Sequence, residues 1–116
     1  QASFNAFLDR FDTGRVAIWG AGHQALALIS LLGIAPRIRY VLDSAPFKQG
    51  RFTPATHLPI VAPERLDEGE VDAVIVLAAS YSEEVANLIA KRFGSRFKVA
   101  VLRDSGLCAV ARDLTP

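Results

Sequence analysis

The chain of 116 residues contains no methionine, a single cysteine and two histidines. One thiol, Cys108, excludes an internal disulfide, and with only His23 and His57 beside it no standard zinc-ligand spacing can be written. An excess of one charge is also missing: 13 Lys and Arg stand against 12 Asp and Glu, a formal net charge of +1. That balance excludes a general attraction to nucleic acid or to an anionic membrane surface, so any positive patch must be local. The longest apolar run, Ala73 to Ala79, falls far short of the roughly 20 residues of a membrane span, and no signal-peptide pattern opens the chain. The expectation is a metal-free cytoplasmic domain with neither membrane nor nucleic acid as partner. Because the chain opens on Gln1 and has no initiator, residues 1–116 are expected to be a single domain cut from a longer polypeptide.

What is present is ordinary globular material, 51% hydrophobic and 22% charged, which argues against disorder. Phe4, Phe7, Leu8 and Phe11 follow the i, i+3, i+4, i+7 spacing of one helical face, which predicts a short edge helix within Gln1–Asp12. Arg15 to Trp19 reads as a strand buried on both faces. Ala25, Leu26, Leu28, Ile29 and Leu32 give helical periodicity from Gly22 to Leu32, with Gly33 as cap and Pro36 as stop. Arg37 to Leu42 reads as a second strand. Five of the six prolines lie between Pro36 and Pro63, so the stretch from Ser44 is expected to be an ordered loop rather than a crossover helix. A short strand at Leu58–Ala62 and a helical turn near Pro63–Leu66 should follow. Val71–Ala79 is the next buried strand and Ser80–Phe93 the next helix, with Ser80 and Glu83 placed for a capping box. Phe97–Leu102 reads as the last strand, and Asp104–Arg112 as a closing helix. This order predicts an α/β fold: a small Rossmann-like, doubly wound, mainly parallel sheet of about five strands.

The chemistry-bearing residues gather at strand ends. Gly20-Ala21-Gly22-His23-Gln24-Ala25 is a G-x-G-x-x-A turn between a strand and a helix. In that context the first glycine permits the turn, the second admits a ligand to the backbone, and free helix N–H groups favour phosphate. Asp43, 23 positions after Gly20, stands where dinucleotide folds keep a carboxylate for ribose, or where an Asx side chain caps the next turn. The loop from Asp43 to His57 offers Lys48 and Arg51 as cations, Thr53 and Thr56 as hydroxyls, and Phe47 and Phe52 as apolar surface. That mixture suits an anionic ligand with a flat or apolar part, and equally a solvated basic loop. His23 and His57 serve as hydrogen-bonding rings or as loop anchors, and Tyr81 as a stacking surface or as edge packing. Trp19 and Cys108 read as core or near-core residues. Gly20, Gly22, His23, Asp43, Lys48, Arg51, Thr53 and Tyr81 form the candidate substrate-binding set, with no catalytic and no metal-binding residue assigned.

There is no G-x-x-x-x-G-K-[ST] loop and no G-x-S-x-G elbow, and Val85 stands four residues after Tyr81, so kinase, hydrolase and short-chain dehydrogenase chemistry lack their usual residues. The segments Val16–Gly22, Asp43–Pro54 and Leu58–Ile60 resemble the C-terminal domain of sugar C-methyltransferases, with Lys48-Gln49-Gly50-Arg51 as the most specific part. The resemblance runs from about Arg15 to Leu102. It implies a Rossmann-like domain preceded in the parent enzyme by a zinc-binding segment and an S-adenosylmethionine-binding domain, and a substrate that is a deoxysugar joined to a nucleoside diphosphate. It also implies that Lys48, Gly50 and Arg51 belong to a signature loop facing that nucleotide sugar. Ala79 and Ser80 stand where the family commonly has tryptophan and asparagine, while Tyr81 and Glu84 match.

The leading expectation is therefore a substrate-side accessory domain that binds no cofactor itself. S-adenosylmethionine and the transfer of methyl groups are expected in the parent's methyl-donor domain, which is the implied protein partner. Three other readings stay open: an NAD-binding or NAD-sensing domain, a non-catalytic module docking through Phe4, Phe7 and Phe11, and the nucleotide-sugar domain of an acyltransferase.

Overall fold

Neighbouring residues of the first strand, β1 (Val16–Trp19), go to opposite sides of one sheet, and all four are buried. Val16 and Ile18 join one apolar cluster, while Ala17 and Trp19 join the other, as a strand covered on both faces requires. The chain is described as a computed structural model over residues 2–110. Five more strands complete the sheet: β2 (Ile38–Leu42), β3 (Ile60–Val61), β4 (Ala73–Val76), β5 (Lys98–Arg103) and β6 (Gly106–Ala109). Their spatial order is β3-β2-β1-β4-β5-β6. The first five run parallel, and β6 returns antiparallel to β5. This is the Rossmann-like, mainly parallel α/β sheet expected from the sequence.

Among the described residues three α-helices cover it: α1 (Ala2–Leu8), α2 (His23–Leu32) and α3 (Ser82–Phe93). The first cluster gathers Phe4, Phe7 and Leu8 of α1 with Ala25 and Ile29 of α2, against Ile18, Val41 and Ile75. The second packs Ala86 and Ile89 of α3 with Leu66 against Trp19, Tyr40, Val74 and Val99. Phe4 and Phe7 are thus spent on the domain's own core and Phe11 is half-buried against it, so two of the three side chains expected to form a docking face are not available for one.

β1 occupies the centre, and its exit is tight. A Cβ added at Gly20 would lie 2.5 Å from the Leu77 carbonyl oxygen, and the residue has φ +125°. Only glycine meets both conditions. Its amide continues the ladder onto Leu42 O (2.8 Å), as Leu77 N does onto Trp19 O (2.9 Å).

The structure corrects two expectations near the carboxyl ends of the last strands. The segment placed in a closing helix is instead β6, a hairpin partner of β5; the rest of that expected helix lies outside the described residues. Asp104 and Ser105 form the turn, and Gly106 at φ +116° packs against Ser3 of α1. Leu107 N donates to Ser3 Oγ (2.9 Å). Pairing of the otherwise open β5 edge outweighs local helical preference. The capping box is also absent. A 3-10 turn spans Ala79–Tyr81, α3 begins only at Ser82, and it is the Ser82 hydroxyl that accepts the Ala78 amide (3.0 Å). Glu83 instead pairs with Arg103 (2.7 Å). Cys108 is half-buried on β6.

Tyr40 carries the one buried side-chain polar atom without a hydrogen-bond partner among the described residues, its phenol oxygen. Burial pushes this phenol up to about 12, with Glu70 adding to the effect. The native state then holds its proton after the unfolded chain, with an ordinary value of 10.0, has lost it, so stability falls as pH rises from 10.0 towards 12. Tyr40→Phe should leave stability at pH 7 equal or higher in urea unfolding, because no native hydrogen bond is lost, and should flatten the alkaline decline. By contrast, Gly20→Ala should cost more than about 2 kcal/mol in the same measurement, since strain at positive φ adds to the clash with Leu77.

Candidate functional site

Strand order reverses between β1 and β4, and in open parallel sheets ligands settle outside the carboxyl ends of the strands at that point. Here the edge is built by the glycine turn after β1, the loop after β2, and the ends of β4 and β5. α2 starts from Gly22, an extended N-cap residue with no side-chain cap. The first amides of a helix have no partner within it, and a Cβ added at Gly22 would meet nothing within 4 Å. This glycine faces open space, unlike Gly20. His23, first residue of α2, is exposed beside it.

Asp43 fastens the next loop to this turn. Its Oδ2 accepts the Ala21 amide and its Oδ1 the Ala45 amide, each at 2.9 Å. Lys48 Nζ lies 3.9 Å from Oδ2 and donates to the Ala21 carbonyl at 3.4 Å. The Gln49 side-chain amide donates to the Asp43 carbonyl at 2.8 Å. Of the two roles open to Asp43, the geometry displays the turn-capping one, with both carboxylate oxygens accepting backbone amides. Lys48 is consequently held over the glycine turn.

From Gly50 the loop climbs the outer side of β3. Gly50 N donates to Ile60 O (2.9 Å), Ile60 N to Arg51 O (2.8 Å) and Thr53 N to Leu58 O (2.8 Å), an antiparallel extension of the sheet. Arg51 is exposed, and its Nε donates to the Phe47 carbonyl (2.9 Å). Thr53 is only 2% exposed; its Oγ1 accepts the Leu58 amide (2.8 Å) and shares a hydrogen bond with Thr56 Oγ1 (2.6 Å). Its hydroxyl is enclosed and holds the loop. Phe52 and His57 stack with ring centroids 4.5 Å apart, while Ala55 and His57 adopt left-handed backbone at φ 64° and 54°.

The sheet edge therefore brings Gly20, Gly22, His23, Asp43 and Lys48 together, with Arg51 one turn beyond Lys48. Thr53 is drawn into the loop's interior. Tyr81 stands 66% exposed after β4, across the edge. Sequence reasoning missed the cavity beside it, about 400 Å³ and lined by Gln24, Leu28, Leu77, Ala79, Leu102 and Asp104 among others. The available signal was the end of β5, which the topology returns to this edge beside β4. Of the basic residues, Arg15, Arg37 and Arg92 are engaged at 2.7–2.8 Å by Asp72, Asp9 and Asp67. The Arg15 guanidinium hydrogen-bonded to Asp72 holds that carboxyl below its usual range. Among the described residues no three His, Cys, Asp or Glu side chains group as a metal site, and no helix is long and apolar enough to cross a membrane.

The fold and edge define a Rossmann-like domain whose glycine turn is flanked by a tethered basic loop. Residues 2–101 match the family described as the C-methyltransferase C-terminal domain, and the chain belongs to it. A curated relative, the C-methyltransferase NovU of Streptomyces niveus, is 32% identical over 75 residues, which cover 64% of this chain and 18% of the relative. Among solved structures, UDP-D-quinovosamine 4-dehydrogenase from Vibrio fischeri superposes with a TM-score of 0.62 at 19% identity, covering 88% of this chain and 97% of that one. The RSP protein in complex with beta-NADH gives a TM-score of 0.55 at 14% identity, covering 89% of this chain and 52% of that one. Both likenesses speak to the fold.

If Asp43 is the clamp between turn and loop, Asp43→Ala should cost about 1–3 kcal/mol, since two part-buried amides lose a charged acceptor. Amide exchange at Ala21 and Ala45 should accelerate in that variant more than exchange in the β4–β5 pair.

Proposed function

We propose that this domain is the substrate-side part of an S-adenosylmethionine-dependent sugar C-methyltransferase, and that its carboxyl edge holds the diphosphate of a nucleotide-linked deoxysugar. One observation carries the reading: Lys48, from the loop that marks the family resemblance, is anchored 3.4 Å from the Ala21 carbonyl within the glycine turn. A diphosphate approaching Gly22 would meet the helix amides on one side and this ammonium on the other, two complementary sources of positive potential. Arg51, one turn further, supplies a planar guanidinium suited to a second phosphate oxygen. Gly20 shapes the turn, Asp43 and Thr53 keep the loop in place, and His23 and Tyr81 border the bound ligand.

In this reading the methyl donor and the reacting groups belong to another domain of the parent enzyme, which works in the cytoplasm, and residues 1–116 are its C-terminal portion. Asp43, the residue that would meet an adenosine ribose, is engaged by two backbone amides, and neither NAD nor S-adenosylmethionine is assigned to this domain. The domain anchors a substrate for chemistry performed elsewhere and transfers no methyl group by itself.

Titration of the labelled domain with a dTDP-deoxysugar should shift the amides of Gly22, His23 and Arg51. Lys48→Ala and Arg51→Ala should each weaken that binding by about 10–100-fold, the worth of a charge-assisted hydrogen bond. Saturation by NAD with no response to the nucleotide sugar would overturn the assignment.

A further inference from the structure

The cavity beside the ends of β4 and β5 takes no part in the diphosphate assignment, and its chemistry differs from that of the basic loop. Leu28, Leu77 and Leu102 form its walls, and its volume is about 400 Å³, ample for a large aliphatic or aromatic side chain. Leu102 is 41% exposed, so apolar surface continues from the cavity onto the outside of the domain. Two of the polar groups are already engaged: the Ser82 hydroxyl accepts the Ala78 amide (3.0 Å), and Arg103 pairs with Glu83 (2.7 Å). Asp104 is different. It lines the cavity from the turn between β5 and β6, is exposed, and has no hydrogen-bond or ion-pair partner among the described residues. Leucine walls beside an unpaired carboxylate have the make-up of a protein-binding pocket, in which an apolar anchor is buried and polar groups close the rim.

The position of α1 bears on what reaches this pocket. Leu107 N donates to Ser3 Oγ (2.9 Å), and a Cβ added at Gly106 would lie 2.9 Å from the same oxygen. The start of α1 is therefore fixed to the hairpin whose residues Leu102 and Asp104 line the cavity, and polypeptide leading into α1 arrives at this corner of the carboxyl edge. In the relative NovU the matched segment amounts to 18% of the protein, so most of such a protein lies outside a domain of this kind. A neighbour joined to α1 is held at high effective concentration beside the pocket, and a modest contact is then enough to dock it.

We infer that this cavity is the docking pocket for the methyl-donor part of the parent chain, which inserts an apolar side chain between Leu28, Leu77 and Leu102 and sets a lysine or arginine against Asp104. The inference rests on the reading above that residues 1–116 are the C-terminal portion of a longer methyltransferase, and goes beyond it by giving the face through which the two parts meet. Docking here holds the donor over the same sheet edge as Lys48 without using any group assigned to the diphosphate.

The test is hydrogen exchange on the full-length parent, comparing wild type with Leu102→Arg and Asp104→Lys. Both positions are exposed, so the core is left alone in either variant. Leu31→Arg, at a position 78% exposed on α2, is the control. In each cavity variant a segment preceding residue 1 should exchange at least about tenfold faster, the equivalent of about 1.4 kcal/mol of docking energy lost. Proteolytic cleavage ahead of Ala2 should accelerate with it. The control should change neither, and the amides of β1 and β4 should keep their protection in all three variants. Unchanged exchange ahead of residue 1 in both cavity variants would overturn the docking pocket and leave the diphosphate site untouched. A change that depends on protein concentration would overturn it as well, by assigning the pocket to a second copy of the chain. Failure of a dTDP-deoxysugar to bind would remove the diphosphate site and leave the docking pocket standing. A native polypeptide that proves by intact mass to hold only the 116 residues would remove the parent-enzyme reading and this inference together.

Discussion

The Asp43 carboxylate joins the two segments on which the edge depends. One oxygen accepts the Ala21 amide of the glycine turn and the other the Ala45 amide of the loop after β2. Without this bridge the loop would keep its pairing with β3, the Gln49 bond to the Asp43 carbonyl and the single long Lys48 bond to the Ala21 carbonyl, and would lose its shortest ties to the glycine turn. With it, Lys48 is placed over the turn, and the Gln49 side chain closes the loop back onto the Asp43 carbonyl. A carboxylate that accepts amides from two chain segments at once ties the start of this loop to the glycine turn, while pairing with Ile60 and the Thr53 bonds hold its later part.

The loop replaces what an ordinary parallel crossover supplies with a helix. Its prolines forbid a long helix, and its own backbone instead pairs with β3 from Gly50 to Thr53. Thr53, enclosed and bonded to Thr56 and Leu58, makes this irregular segment a fixed surface. The basic residues Lys48 and Arg51 thus sit on a rigid support, which lowers the ordering cost of meeting an anion. On the other half of the edge, the cavity beside β4 and β5 is shaped by packing of Leu28, Leu77 and Leu102. The two halves are chemically different, one carrying Lys48 and Arg51 and the other lined by leucines together with Gln24, Ser82, Arg103 and Asp104, and both border the first turn of α2.

Much of this was legible in the residues. The buried runs at Val16–Trp19 and Ala73–Val76, the helix ending at Gly33, and the proline-interrupted loop follow directly from period, apolar content and turn chemistry. The glycine turn was legible as a turn, but its two glycines were not separable: Gly20 is required by the nearby Leu77 carbonyl, whereas Gly22 opens to solvent. Thr53 looked like an available hydroxyl because its burial depends on Leu58 and Thr56 closing over it. Asp43 carried two possible roles, and distances to Ala21 and Ala45, 22 and 2 residues away, were needed to display one of them. The segment around Gly106 reads as helix in a local window, where the unpaired edge of β5 that it covers is invisible.

By itself, then, the sequence determined the class of sheet, the order of strands and helices as far as β5, and the placing of basic and glycine residues at strand ends. Those properties arise from patterns within about a dozen neighbouring residues, where periodicity and turn preference act. The tertiary structure alone decided which polar groups are consumed in holding the fold and which face outward, and where a cavity opens. The physical reason is that hydrogen-bond pairing and burial are set by contacts between distant segments. Asp43 finds Ala21, Ser82 finds Ala78 and Leu107 finds Ser3 only after the sheet has brought their strands together.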